Sequence, residues 1–207
     1  MKRLLLCFAL LAAWVANAQP LGPQLKFGVH GNVANLNVAG PLSEVYGLGY
    51  GGGAHLDVKF VLLSVRVSGD FITFSPDNDK FRSAISPYLG SLASGVTVEG
   101  GRVNILSTNV NAKFVLLPLP IVNPYLTGGV GLASFSVGET KVLSNGAPVA
   151  GGTTPAVPGE TKPSINIGAG VDLDLPGLSL FLEAKYFWVF TEGDKVKFLP
   201  ISLGITF

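Results

Sequence analysis

The sequence predicts an all-β protein, a closed eight-stranded antiparallel up-and-down transmembrane β-barrel whose strands extend into extracellular loops. Three observations predict it. Apolar and polar residues alternate with period two in eight segments of about ten residues, the length a tilted strand needs to cross hydrocarbon. The connections between segments alternate between short and long, and aromatic residues of the apolar face gather at both ends of the segments. Composition agrees: 48 % hydrophobic and 13 % charged residues in a chain of 207 is greasy for one ordinary domain. With 27 glycines and 14 prolines the chain favours short strands and turns over helices. After the first twenty residues no apolar run is long enough for a membrane-spanning helix, and the longest, FVLLPLPIV, contains two prolines.

The opening MKRLLLCFALLAAWVANAQP has Lys2 and Arg3, an apolar stretch from Leu4 to Val15, and the small-x-small run Ala16-Asn17-Ala18. It is expected to be a secretory signal peptide over residues 1–18, cut before Gln19, with residues 19–207 forming the barrel domain. Cys7, the only cysteine, lies in this leader, so residues 19–207 hold no disulfide, thiolate nucleophile or cysteine-ligated metal. Lys2 and Arg3 are 2 of the 14 basic residues, which leaves 12 against 13 acidic ones and a net charge close to neutral. The basic residues are spread singly, and no nucleic-acid partner is expected.

The eight segments fall at 25–38, 49–60, 63–74, 102–116, 124–137, 164–175, 178–190 and 196–207. In the second, Ala54, Leu56, Val58 and Phe60 alternate with Gly53, His55, Asp57 and Lys59. The fourth sets Leu106, Thr108, Val110, Ala112 and Phe114 against Ser107, Asn109, Asn111 and Lys113. In the sixth, Ile165, Ile167, Ala169, Val171 and Leu173 alternate with Asn166, Gly168, Gly170, Asp172 and Asp174. The seventh turns Leu180, Leu182, Ala184, Tyr186 and Trp188 one way and Ser179, Phe181, Glu183, Lys185 and Phe187 the other. In the eighth, Leu199, Ile201, Leu203, Ile205 and Phe207 share a face.

Short connections follow segments two, four and six, and long ones follow three and five, so short turns and long loops sit at opposite ends. The expected placement is the cell outer membrane, with both termini and the short turns on the periplasmic side and the long loops outside. Phe27, Phe60, Phe114 and Phe207 fall near the short-turn end, and Tyr50, Phe71, Tyr186 and Trp188 near the loop end, as two girdles. The turn KFVLLSV between segments two and three lacks Gly, Pro and Asn and is the weakest joint. A one-residue slip there would turn Arg66 to lipid at high cost.

If the apolar face meets lipid, the other face fills a lumen. Its basic members Lys26, Lys59, Arg66, Lys113 and Lys185 balance Asp57, Asp70, Asp172, Asp174 and Glu183. With His30 and His55 they are expected to form an interior network of ion pairs and hydrogen bonds, since a barrel of this size is filled by its own side chains and isolated charges inside it would be costly. A proton or ion relay through the same groups is the functional alternative. An enzyme is not expected: neither histidine has an adjacent serine, and the Asp57–His55 spacing suits packing better than a catalytic set.

Among the loops, residues 75–101 are expected to hold a helical turn or two between Asp77 and Leu92 and then a hairpin, VTVEGGRVNI, around Gly100-Gly101. Asn145-Gly146 in KVLSNGAPV is a two-residue turn signal, and AGGTTPAVPGETKP reads as an irregular mobile loop. Asp77, Asp79, Glu192 and Asp194 are candidate ligands for a loop-bound divalent cation such as calcium, without the full calcium-loop pattern. No other cofactor is expected. The glycines of YGLGYGGGA lack the Lys-Ser/Thr of a phosphate loop and fit close packing or bending of the barrel.

On NPYLTGGVGLASF and the terminal PISLGITF, the chain resembles the small eight-stranded outer-membrane barrels of the OmpA transmembrane domain and OmpX type. The resemblance implies that Phe207, behind alternate apolar residues, is read by the outer-membrane assembly machinery. It also implies outer-membrane lipid as the surroundings. The sequence given ends with the eighth strand, so anchoring to the cell wall is not expected, and a monomer is. The expected function is a non-enzymatic barrel presenting structured loops for envelope integrity or surface interaction; the alternative is a narrow channel for small or apolar solutes.

Overall fold

The computed structural model describes residues 23–38, 45–191 and 196–207. The expected leader, residues 1–18, lies outside them. Eight strands close a barrel: β1 (Gln24–Val38), β2 (Gly49–Lys59), β3 (Leu63–Phe74), β5 (Val103–Val115), β6 (Val122–Val137), β9 (Val157–Leu175), β10 (Leu178–Val189) and β11 (Val196–Thr206). Every pairing is antiparallel, and β1 closes on β11. At that seam the Phe27 and Phe207 backbones exchange two hydrogen bonds, at 3.2 and 2.8 Å, and their rings lie 5.3 Å apart on the outer surface. The last residue thus takes part in closing the cylinder.

Period two decides which side chain goes where, because successive Cβ atoms point to opposite faces of the sheet. On β5, residues 103, 105, 107, 109, 111, 113 and 115 are buried and the alternate residues 106, 108, 110, 112 and 114 exposed. The outer surface is apolar throughout, with Leu56, Val67, Val110, Val130, Ile167 and Leu203 at half exposure or more. Polar side chains fill much of the inside. This inversion of the usual arrangement is what a membrane-spanning barrel requires, since the closed ladder leaves no backbone edge in hydrocarbon. The joint between β2 and β3 is a tight turn, in which Phe60 N donates to Leu63 O at 2.7 Å, and Arg66 faces inward at 3 % exposure.

Several interior positions are glycine because a large side chain from the neighbouring strand occupies the space. Gly53 pairs in register with His30 on one side and Asp70 on the other. A Cβ there would stand 2.7 Å from His30 Nε2 and 2.8 Å from Asp70 Oδ1, and closer still to the backbone carbonyl of Gly69. Gly28 does the same for the ring of His55. Glycines on β6, Gly129 and Gly131, lie opposite Asn111 and Asn109.

At the loop end, β4 (Val96–Gly100), β7 (Thr140–Ser144) and β8 (Ala147–Thr154) form a separate three-stranded sheet in the order β4-β7-β8. The hairpin expected around Gly100-Gly101 does not form. The partner of β4 is β7, because Gly100 and Gly101, both at positive φ, turn the chain and Gly101 N donates to Glu139 O. The turn expected at Asn145-Gly146 joins β7 to β8, with φ of 50° and 80°, the left-handed pair that such a two-residue connection needs. The stretch expected to be irregular after Ala150 is instead the end of β8 and the start of β9, which pairs with β6 beyond the barrel.

Helix α1 (Asn78–Leu89) is capped by Asp77, whose carboxylate accepts from Asp79 N and Lys80 N, and it is followed by a 3₁₀ turn (Gly90–Gly95). It is tied down at three points. Val98 N donates to Asn78 Oδ1 at 2.7 Å, Arg82 Nε to Val96 O at 3.0 Å, and Lys80 Nζ to the Tyr46 carbonyl at 2.9 Å.

Candidate functional site

Along each barrel strand the interior residues change character from the short-turn end to the loop end. On β3 the order is Ser64, Arg66, Ser68, Asp70, Ile72, Phe74; on β10 it is Ser179, Phe181, Glu183, Lys185, Phe187, Val189. The lumen is therefore charged below and apolar above.

In the charged part, Arg66 is the hub. Its Nε and Nη2 donate to the two oxygens of Asp57 at 2.7 and 2.8 Å, and its Nη1 lies 3.7 Å from Glu183 Oε2. The bidentate fork is the strong form of this contact. Glu183 also meets Lys185 Nζ at 3.0 Å and accepts from the Tyr125 hydroxyl at 3.1 Å. Lys113 Nζ lies 2.7 Å from Asp172 and 3.8 Å from the centre of the Tyr125 ring. Ser179 and Asn123 both donate to Asp174, while Lys59 stays 3.9 Å from it. Lys26 lines a small cavity at the short-turn mouth together with Asp57, Lys59 and Asp174.

The histidines occupy the next level. His30 Nε2 lies 2.6 Å from Asp70 Oδ1, and Asn32 and Ser68 also donate to that carboxylate. His55 Nε2 lies 3.0 Å from Thr206 Oγ1. The Asp57–His55 spacing weighed in the sequence analysis is not used, because Asp57 sits in register with Arg66 and spends both oxygens there. Phe181 packs among these groups, 5.3 Å from the His55 ring, 5.9 Å from His30 and 5.0 Å from the Arg66 guanidinium. Charges within this lumen are thus covered by an aromatic face as well as by partners.

Sequence reasoning missed Phe181 and Tyr125 as members of this network, although both stand on the polar face of their strands. It missed the apolar plug altogether. Ala34, Leu36, Ile72, Phe74, Val103, Ile105, Ala133, Phe187, Val189 and Phe198 form one buried cluster, with the Phe187 and Phe198 rings stacked 4.6 Å apart. The signal was present: near the loop end the inward positions are apolar as well as the outward ones.

Of the four residues proposed as cation ligands, Glu192 and Asp194 lie outside the described residues. Asp77 Oδ1 caps α1, and Asp79 Oδ1 lies 3.3 Å from Arg82 Nη1. Among the described residues no group of three or more acidic, histidine or cysteine side chains is placed to hold a metal. Tyr46 stands at the rim of the plug, donating its hydroxyl to Gly101 O at 3.0 Å, and burial pushes its phenol above the ordinary value.

No family model and no curated protein matches the chain. Among solved structures it is similar to Neisserial surface protein A, at 15 % identity and a TM-score of 0.57 over 89 % of this chain and 97 % of that one. The fold is that of the small eight-stranded outer-membrane barrels. Lower superpositions are found with a major outer membrane protein of Thermus thermophilus (14 % identity, TM-score 0.49, 88 % and 99 % covered) and with Ail, the attachment invasion locus protein of Yersinia pestis (14 %, 0.47, 90 % and 99 %).

Proposed function

We propose that the protein is a non-enzymatic, integral outer-membrane barrel that does not conduct, and that its work is done by the structured assembly at its loop end. In this reading residues 1–18 are a cleaved signal peptide, both termini and the short turns face the periplasm, and the loop-end sheet and α1 face outside. The barrel acts as a rigid, monomeric pedestal in outer-membrane lipid, and the loops serve surface interaction or envelope integrity.

One observation carries the reading: a lumen filled twice over, by paired charges around Arg66 and then by the plug around Phe187 and Phe198. An ion would have to displace both. Phe207 is proposed as the assembly signal, supported by its place on the apolar outer face beside the β1–β11 seam. Single-channel recording of the purified protein in planar bilayers tests the closed lumen. The expected result is no discrete conductance step; steps that survive repurification would replace this reading with the narrow channel.

A further inference from the structure

Above the plug lies a cavity of about 470 Å³ that the charged network does not touch. Its floor is the upper surface of the plug, including Leu36, Val103 and Phe135. Its walls are Tyr46, Phe81 of α1, and Val98 and Val142 of the outer sheet. Three structural units therefore border one open-mouthed space, and hydrogen bonds already hold them together: Lys80 to Tyr46, Asn78 to Val98, and Tyr46 to Gly101.

The lining has a definite chemistry. Among the described residues that line the cavity, none is an aspartate, glutamate, lysine, arginine or histidine; the polar groups are the Tyr46 phenol and the hydroxyls of Thr140, Thr154 and Thr191. A space of this size, mostly apolar with a few hydroxyls, has the form of a small-molecule site, for which volumes of about 300–1,000 Å³ are usual. Among the described residues of this lining a charged ligand would find no counter-ion for the hydration it loses. A neutral one would lose little.

We infer that this cavity is a binding site for a neutral, apolar small molecule, held at the outer face of the barrel by Tyr46, Phe81, Val98 and Val142 and oriented by the threonine hydroxyls. The plug beneath makes the site blind, so the ligand is retained there and is not passed through the lumen. The inference rests on the closed-lumen reading above and names the chemistry that the loop-end assembly recognises.

The test uses the full barrel in lipid nanodiscs with ¹³C-labelled valine methyls, titrated with the neutral aromatic amine N-phenyl-1-naphthylamine. The cavity methyls of Val98, Val137 and Val142 should shift and saturate. Methyls of Val29, Val33 and Val65, exposed on the outer surface away from any cavity, should only drift in proportion to probe dissolved in the bilayer. Val142→Phe, which fills the space, and Thr154→Asp, which puts a charge in it, should each weaken the saturable phase at least tenfold with the amide spectrum of the barrel strands unchanged. Cavity methyls that drift without saturating would overturn the site, as would saturation that both variants leave intact. Broadening of the cavity methyls by spin-labelled phospholipid before any probe is added would overturn it in favour of a lipid acyl chain. Bilayer recordings on the same preparations keep the two questions apart: conductance steps defeat the closed lumen, whereas a silent bilayer with no saturable shift defeats only the site.

Discussion

At the short-turn end of the lumen Arg66 is held by Asp57 and Glu183, whereas at the loop end Phe187 lies flat on Phe198 with Phe74 and Ile105 in the same cluster. Both regions are filled by buried side chains. They differ in how the filling is specified. Each charge below depends on a partner in a fixed direction, so the loss of one strands the others in a place that water enters poorly. The plug depends on volume and shape, and volume can be restored by a different apolar residue. In the proposed reading the lower half fixes register and the upper half supplies a seal.

Substitution of single residues can break that contrast. Arg66→Leu should have the largest effect, a loss of about 3–5 kcal/mol, because Asp57 and Glu183 are left buried without their guanidinium. Unfolding in guanidinium from lipid vesicles, followed by the fluorescence of Trp188, measures it. Adding Asp57→Leu should return part of the loss, and a double variant no better than the single would mean that Asp57 was not the stranded charge.

Phe187→Ala should cost about 3 kcal/mol by leaving a hole beside Phe198, yet Phe187→Leu should cost less than about 1.5. If the leucine variant is as damaged as the alanine one in the same assay, the plug is as directional as the charges and the distinction fails. Gly53→Ala probes the boundary between the halves. The added methyl meets the Gly69 carbonyl as well as His30 and Asp70, and about 1–3 kcal/mol of destabilisation is expected, of which His30→Ala, combined with it, relieves only the part owed to the imidazole. The smallest effect is expected at the seam. Phe207→Ala removes the ring contact with Phe27, worth about 0.5–1.5 kcal/mol, while keeping the two backbone bonds. Outer-membrane insertion in cells should fall far more than this stability change accounts for; insertion that merely tracks stability would reduce Phe207 to a seam residue.

Much of the barrel was legible because its code is local. Alternation identified all eight strands and the face each residue takes, and the length pattern of the connections gave their order. The costly inward position of Arg66 set the register of the β2–β3 turn, which has no turn residues of its own. What could not be read involves partners chosen at a distance. His55 stands two residues from Asp57, but its neighbour is Thr206, brought in across the β1–β2 and β1–β11 pairings. The strand β4 precedes β5 directly, yet pairs with β7. At the loop end alternation fades, since Ile72 and Phe74 point inward while Phe71 points out, and all are apolar. Only closure of the cylinder says that such residues form a plug and are not more lipid-facing surface.

Of the candidate site, the twelve proposed lumen residues were named by period and charge alone. Their pairing scheme, the aromatic members Tyr125 and Phe181, and the cavity above the plug were not. A transmembrane barrel, its eight strands and the inward face of each follow from the order of residues, because strand geometry ties these to a period of two along the chain. Which charges meet, how the inward apolar residues pack as one plug, and the common space bordered by α1, the outer sheet and the rim were settled in the folded cylinder. Those outcomes depend on strand tilt, ring closure and loop contacts between residues far apart in sequence, and no local pattern encodes them.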